Sequence, residues 1–485
     1  MSVTRYPLLL CLLGSLTACH SSTKSEQQAN TSSSNQMEAI YPHQAESEVP
    51  INSQIRLHLP NRLTGIKLAD NAFRLTLTGT QGEPLPLQVS KESADTLLLT
   101  PEQPLAPASR YRLQYGSGKK AWQLDFTTEQ RSDYPVKLPS PQGDYGVGEL
   151  PAILFSRSIT PSTEGEADTR PIDMQIWYPV GKIFHGQRAP YLDKEIATLG
   201  EQGGFTTLSL NEVVRTNARL GEQGECAQPH PLILFSPGYG ELSQFYRTII
   251  EPLVARGYVV AGINHAYTSM VTRSGNGDME STDPIPSDLP ADELQAWLQN
   301  KLDANVADLD SAIARIALES SADTLIKGCV DLQHIGLLGH SFGGATAMEA
   351  LVTRNHYLAA VNLDGDLFGK HRTTPSSRAV LQMQMDMQLV TEPGVRDNSI
   401  GERDQTLTGE HHWLEVAKSD HLDFSDLHWY QEYLQGPLAL PPSTMDAAQM
   451  VEIEARWLGT FFDRTLKGES VTLEDLPLDG VRILP

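Results

Sequence analysis

Two hydrophobic rhythms divide this chain. Over about residues 49–130, apolar and polar positions alternate with a period of two: "QIRLHLP", "FRLTLTG", "LPLQVS", "DTLLLTP", "RYRLQYG" and "WQLDFTT". The intervening "NRLTG", "QGEP" and "GSGKK" carry turn-forming residues. Short, half-buried strands at this spacing predict a small all-β sandwich. Beyond residue 149 the rhythm changes to solid apolar runs: "IDMQIWYP", "PLILFSP", "YVVAGIN", "HIGLLGH", "LAAVNLD", "AVLQMQM" and "HWLEVAK". A strand is apolar on both sides only where helices cover both faces of a parallel sheet. Helical spacing in "SQFYRTIIEPLVARG", "LDANVADLDSAIARIALES" and "GGATAMEALVTR" supplies that cover, and "VEIEARWLGTFFDRTLKG" adds a terminal helix. The expected architecture is therefore an α/β unit over 149–485, with 131–148 as a Pro- and Gly-rich linker from the sandwich.

The start of the chain has neither rhythm. "YPLLLCLLGSLTAC" behind Arg5 is an apolar run too short to span a bilayer, so 1–19 reads as a signal peptide. Its "LTAC" end resembles the bacterial lipobox, which implies lipidation of Cys19; an ordinary cleaved signal is the alternative. His20 stands where inner-membrane retention would want Asp, so the resemblance implies the outer membrane of a bacterial envelope. Residues 20–48, rich in Ser, Gln, Asn and Thr, read as a flexible tether. The only membrane contact expected is that lipid anchor. A net charge of -23 excludes nucleic acid as a partner, since no basic patch could dominate such a field. Beyond Cys11 and Cys19 only Cys226 and Cys329 remain, a candidate disulfide in an oxidising compartment.

One stretch raises a chemical question. "HIGLLGHSFGGATAMEA", His334–Ala350, sets Ser341 in a glycine-flanked turn between an apolar strand and a helix. Small residues there can serve close packing alone. In a strand–turn–helix setting, however, G-x-S-x-G presents a serine hydroxyl at the carboxyl end of the sheet. That hydroxyl needs a base to take its proton and a carboxylate to orient the base. In α/β-hydrolase folds the chain order is serine, acid, histidine. "SDHLDFSD" follows the last strand, so His421 is the expected base ahead of His411, His412 and His428. Position leaves the acid open between Asp364, ending "LAAVNLD", and Asp386, ending "AVLQMQMD", with Asp366 a near neighbour of the first. Two backbone amides must face the developing oxyanion. Phe342, after the nucleophile, and Tyr239 of "LFSPGYGE" are the expected donors. His265 of "INHAY" either touches substrate or satisfies a local hydrogen bond. No cluster has metal-ligand spacing, so neither metal nor organic cofactor is expected.

"IDMQIWYP", "PLILFSPGYG", "RGYVVAGINHAY", "GHSFGGATA", "LDGD" and "SDHLDFSD" come in an order and spacing that resembles the secreted platelet-activating-factor acetylhydrolase family and its bacterial relatives. The resemblance covers about residues 145–468. It implies an α/β-hydrolase fold, Ser341 as nucleophile, His421 as base, Asp364 rather than Asp386 as acid, and Tyr239 and Phe342 as oxyanion donors. It also implies a calcium-independent serine esterase that removes short or oxidised acyl chains from phospholipids. Pro237 replaces the His of the family's His-Gly-x-Gly loop. The acidic stretch Ser274–Glu293 lies outside the family core and reads equally as a lid, a substrate-selecting loop or a surface insertion. The N-terminal stretch ending "FTT" resembles bacterial Ig-like modules, either partner-binding or spacer. Polyester, cutinase-like and general carboxylesterases would keep the same triad. A surface binding lipoprotein without catalysis would keep only the architecture.

Overall fold

A computed structural model describes residues 37–484 other than 60–71, 79–83, 94, 117–120, 130–132, 160–168, 203–205, 207–208, 287, 390–405 and 436–442. The expected signal peptide (1–19), lipidation at Cys19 and most of the tether (20–36) lie outside the described residues.

Each alternating stretch of the N-terminal region is a strand. The chain forms β1 (Glu38–Tyr41), β2 (Glu46–Val49), β3 (Ile55–His58), β4 (Phe73–Leu77), β5 (Leu87–Lys91), β6 (Thr96–Pro101), β7 (Arg110–Tyr115) and β8 (Trp122–Thr128). They make two four-stranded sheets, β1-β3-β6-β5 and β2-β8-β7-β4. Ile55, Leu57, Leu97 and Leu99 of the first share one core with Leu75, Leu113, Leu124 and Phe126 of the second. The period-two pattern thus does what pleating requires, sending alternate side chains inward.

Two expected boundaries are corrected. The sandwich includes 37–48, so these residues are not tether: β1 and β2 pair with β3 and β8, and Met37 and Val49 are buried. Neither "EAIY" of β1 nor "ESEV" of β2 alternates apolar with polar residues. The expected linker 131–148 belongs in part to the α/β unit. Its β9 (Val136–Lys137) pairs with a later strand and β10 (Gly146–Glu149) joins the large sheet. Gly148 is there for closeness rather than flexibility, since a Cβ would lie 2.6 Å from Val180 and 2.7 Å from the Tyr178 ring.

The α/β unit continues with β11 (Ile153–Ser158), β12 (Thr169–Val180), α1 (Lys194–Gln202), α2 (Leu210–Val213), β13 (Val214–Arg215), β14 (Arg219–Leu220), β15 (His230–Ser236), α3 (Arg247–Ala255) and β16 (Val259–His265). Then come β17 (Val271–Arg273), β18 (Met279–Ser281), α4 (Ala291–Ser321), β19 (Val330–His340), α5 (Phe342–Thr353), β20 (Tyr357–Leu363), β21 (Ala379–Gln384), β22 (His411–Val416), α6 (Ala447–Lys467) and β23 (Val481–Ile483). The eleven-stranded sheet runs β14-β10-β12-β16-β15-β19-β20-β21-β22-β23, with β11 against β12. From β16 to β22 every pairing is parallel.

The solid apolar runs follow from this sandwiching. Ile233, Phe235, Val260 and Leu338 face α3 and α6, where Ile250, Leu253, Phe461 and Phe462 lie. Their neighbours Leu232, Leu234, Val259, Ala261 and Leu337 face α4 and α5 on the other side, with Leu309, Ile316, Met348 and Leu351. Parallel order brings the carboxyl ends of β15, β19, β20, β21 and β22 to one edge, where the site lies.

Cys226 and Cys329 are joined in a disulfide that closes 103 residues of chain. Replacing both by alanine is expected to cost about 2–4 kcal/mol of stability through the freed unfolded chain. Urea unfolding of the variant against the native protein, with thiol mapping before and after reduction, measures it.

Candidate active site

The site begins with a backbone collision. At the corner between β19 and α5, a Cβ on Gly339 would lie 2.1 Å from the Gly343 carbonyl oxygen, and one on Gly343 would lie 2.0 Å from that of Ser236. Only glycine fits either position, so the corner can be tight. Ser341 occupies it at φ 54°, ψ -121°, a region that costs an L-residue on the order of 1–3 kcal/mol. Its amide donates to the Leu363 carbonyl at 2.8 Å, and its hydroxyl is left projecting from the turn.

Past β22, His421 opens a short 3-10 turn capped in both directions. The Leu422 amide donates to Asp420 Oδ1 and the Asp420 amide to Asp423 Oδ2. This places His421 Nε2 2.9 Å from Ser341 Oγ and Nδ1 2.6 Å from Asp364 Oδ2. A carboxylate only accepts, so Nδ1 carries the hydrogen and Nε2 is free to accept from the serine hydroxyl. Asp364 ends β20 at φ 49°. Its amide donates to the Met383 carbonyl, and its Oδ1 accepts from the Met385 amide at 2.9 Å, so the carboxylate is aimed from two sides.

The other candidates are occupied elsewhere. Asp386 accepts from the Lys418 amide at 2.7 Å, the Gln388 amide at 3.0 Å and Arg482 at 2.8 Å, bracing the ends of β21, β22 and β23. His411 meets the Gly409 carbonyl and His412 meets Glu410. Burial holds the His428 imidazole down, to about 4. His265 is buried between Ser236 Oγ and Asp308 Oδ2, each at 3.1 Å, and does not line the cavity. The second expectation for it, a local hydrogen bond, is the one realised.

Tyr239, Ser341, Phe342, Asp364 and His421 line one cavity of ≈ 820 Å³. Around Tyr239 the neighbouring amides are committed, Gly238 N–H to the Tyr246 hydroxyl and Gly240 N–H to the Thr268 carbonyl. Among the described residues the Tyr239 and Phe342 amides make no such bond. The Tyr239 phenol donates to the Asp283 carbonyl at 2.6 Å and is pushed up to about 12 by burial and by Asp283. The acidic stretch is thereby tied at Asp283 to the loop that carries Tyr239. It also contributes Ile285 to the cavity lining, along with Leu294, Leu298, Phe368, Asp366 and Gln384. Two residues that sequence reasoning passed over also meet here. His340, between Gly339 and Ser341 of the serine motif, contacts both Tyr246 and the His421 carbonyl.

A model of the family described as platelet-activating factor acetylhydrolase, isoform II, matches residues 134–286 and 288–385. The chain belongs to that family. The match starts at 134, in keeping with β9 and β10 being part of the α/β unit. It takes in Tyr239, Ser341, Phe342 and Asp364, and also 274–286 and 288–293, so the acidic stretch expected to lie outside the family core falls within the match. His421 lies beyond it and is placed by geometry. The platelet-activating factor acetylhydrolase of the dog is 25% identical over 256 residues, 47% of this chain and 55% of that protein. The bovine protein of the same name is 25% identical over 263 residues, 48% and 56% respectively. The chain thus spans about half the length of these relatives. A ferulic acid esterase from Streptomyces cinnamoneus superposes with a TM-score of 0.60 at 24% identity, covering 72% of this chain and 100% of that one. That likeness fixes the α/β-hydrolase fold.

Burial alone would lower the His421 pKa. The Asp364 hydrogen bond and charge, with Glu241 and Asp366 adding, outweigh it and hold the imidazole above its usual 6.5. The expected titration midpoint by NMR therefore lies above 6.5, and Asp366→Asn, by removing one negative neighbour, moves it down. An upward or absent shift in that variant contradicts the electrostatic account.

Proposed function

We propose that this chain is a serine esterase working through an acyl-enzyme. The observation that carries the reading is the line of hydrogen bonds from Asp364 through His421 to a serine held at φ 54°. In the proposed reaction Ser341 Oγ gives its proton to His421 Nε2 and bonds to the ester carbonyl carbon. The Tyr239 and Phe342 amides hold the resulting oxyanion. Asp364 keeps the Nδ1–H tautomer and stabilises the imidazolium. Collapse expels the alcohol, which takes the proton from His421 and leaves acyl-Ser341. Water then gives a proton to His421 and attacks the acyl carbon. The acid departs and Ser341 recovers its hydrogen.

The substrate class proposed is a carboxylic ester with a short or oxidised acyl chain on a phospholipid, supported by family membership and by the apolar wall of Ile285, Leu294, Leu298 and Phe368. The cavity is much larger than an acetyl group and falls in the range that buries drug-sized ligands. That room favours, as a second reading, bulkier carboxylic or polyester substrates. We place the enzyme in a bacterial envelope, exported by 1–19 and anchored through Cys19 to the outer membrane. The Cys226–Cys329 disulfide supports an oxidising compartment. The sandwich is read as an Ig-like spacer, since none of its described residues lines the cavity.

Fluorophosphonate treatment of the folded protein, mapped by mass spectrometry, is expected to modify Ser341. Ser341→Ala is expected to keep its fold, take no label and lose on the order of 10⁶ in kcat. Absence of label in folded native protein would sink the esterase and leave a binding lipoprotein. A series of nitrophenyl, phospholipid and polymer esters then ranks the substrate classes.

A further inference from the structure

Besides the segment after β20 that carries Asp364, three loops make this site, and each follows a different strand: the oxyanion loop β15, the nucleophile turn β19, and the base loop β22. The β-ladders align the strands but do not set the loops against one another to the half ångström that a catalytic constellation needs. One buried hydrogen-bonded path joins all three. The His340 ring is fully buried. Its Nε2 lies 2.8 Å from the carbonyl oxygen of His421. A carbonyl only accepts, so Nε2 carries the hydrogen and Nδ1 is left to accept. The Tyr246 hydroxyl donates to it at 2.8 Å, and the Tyr246 oxygen accepts in turn from the Gly238 amide at 3.1 Å. Gly238 directly precedes Tyr239. Glu241 Oε2 stands 3.4 Å from the same Nδ1, but neither atom carries a hydrogen in this arrangement, so it adds no bond to the path. The His340 and His421 rings also lie against each other, with centroids 4.6 Å apart.

We propose that His340 and Tyr246 are positioning residues that hold the base loop and the oxyanion loop in register with Ser341; the inference rests on the esterase reading above. The close approaches that require glycine in the serine turn are at 339 and 343, not at 340. A histidine there is accounted for by its two ring nitrogens, one for each loop. Neither residue lines the cavity, so neither touches substrate.

The test compares steady-state kinetics of the full chain on a nitrophenyl ester, with thermal midpoints, for Tyr246→Phe, His340→Gln and His340→Leu. Glutamine keeps an N–H at the reach of Nε2, whereas leucine keeps only bulk. Native protein that hydrolyses the ester and labels at Ser341 secures the underlying reading, and its failure to do so counts against that reading alone. The expected result is a fall in kcat on the order of 10–100-fold for His340→Leu, the scale of a misplacement of about 1 Å. KM stays near native, the fluorophosphonate labelling rate falls in parallel, and His340→Gln recovers most of kcat. Tyr246→Phe is expected to lower kcat with little change in KM. If leucine does not fold at 340, the glutamine and phenylalanine variants carry the comparison. Native kcat in Tyr246→Phe, or losses in KM and thermal midpoint with kcat intact, would overturn the proposal.

Discussion

Everything at this site depends on two places where backbone meets backbone. Gly339 abuts the Gly343 carbonyl, and Gly343 abuts that of Ser236 on the neighbouring strand. With no side chain at either position, β19 passes into α5 without an intervening loop, and the residue at the corner is forced to positive φ. The strain is sustained because the corner is over-determined. β15 lies on one side, β20 on the other, and the Leu363 carbonyl accepts the Ser341 amide. A serine on a mobile loop would face no such constraint, and its hydroxyl would not be presented to a fixed histidine. The cost in strain is returned by the packing of the surrounding sheet.

Around that corner the polar groups are sorted by what satisfies them. Asp386 and Asp364 end adjacent strands and have the same side chain. Asp386 is saturated by two amides and an arginine. Asp364 spends one oxygen on the Met385 amide and turns the other to His421. The difference lies in the hydrogen-bond ledger of each carboxylate rather than in its place along the chain. The imidazole between Asp364, Asp366 and Glu241 sits in a net negative field, which offsets the penalty of its burial.

The α/β fold was legible because its cause is local. A strand buried on both faces must be apolar throughout, and each of the seven apolar runs is a strand. The alternating stretches were legible for the opposite reason, one face being wet. The failures were at the margins. β1 and β2 do not alternate apolar with polar residues, and their membership in the sandwich comes from pairing with β3 and β8, which the local pattern does not signal. Glycines at 146 and 148 looked like linker composition, yet they are where β10 presses against β12.

The sequence by itself singled out Ser341, His421, Tyr239 and Phe342 and the order in which they appear. Each of these is tied to a strand end or a turn, and turns write their steric demands into adjacent residues. Position along the chain left Asp364 and Asp386 open; the tertiary structure set Asp364 against His421, assigned His265 to Asp308 and Ser236, and brought His340 against Tyr246 and the His421 carbonyl. Those outcomes rest on contacts between residues as much as ninety-four positions apart, such as Tyr246 and His340. Pairings of that range leave no mark on local composition, because a buried polar group records its partner only in space.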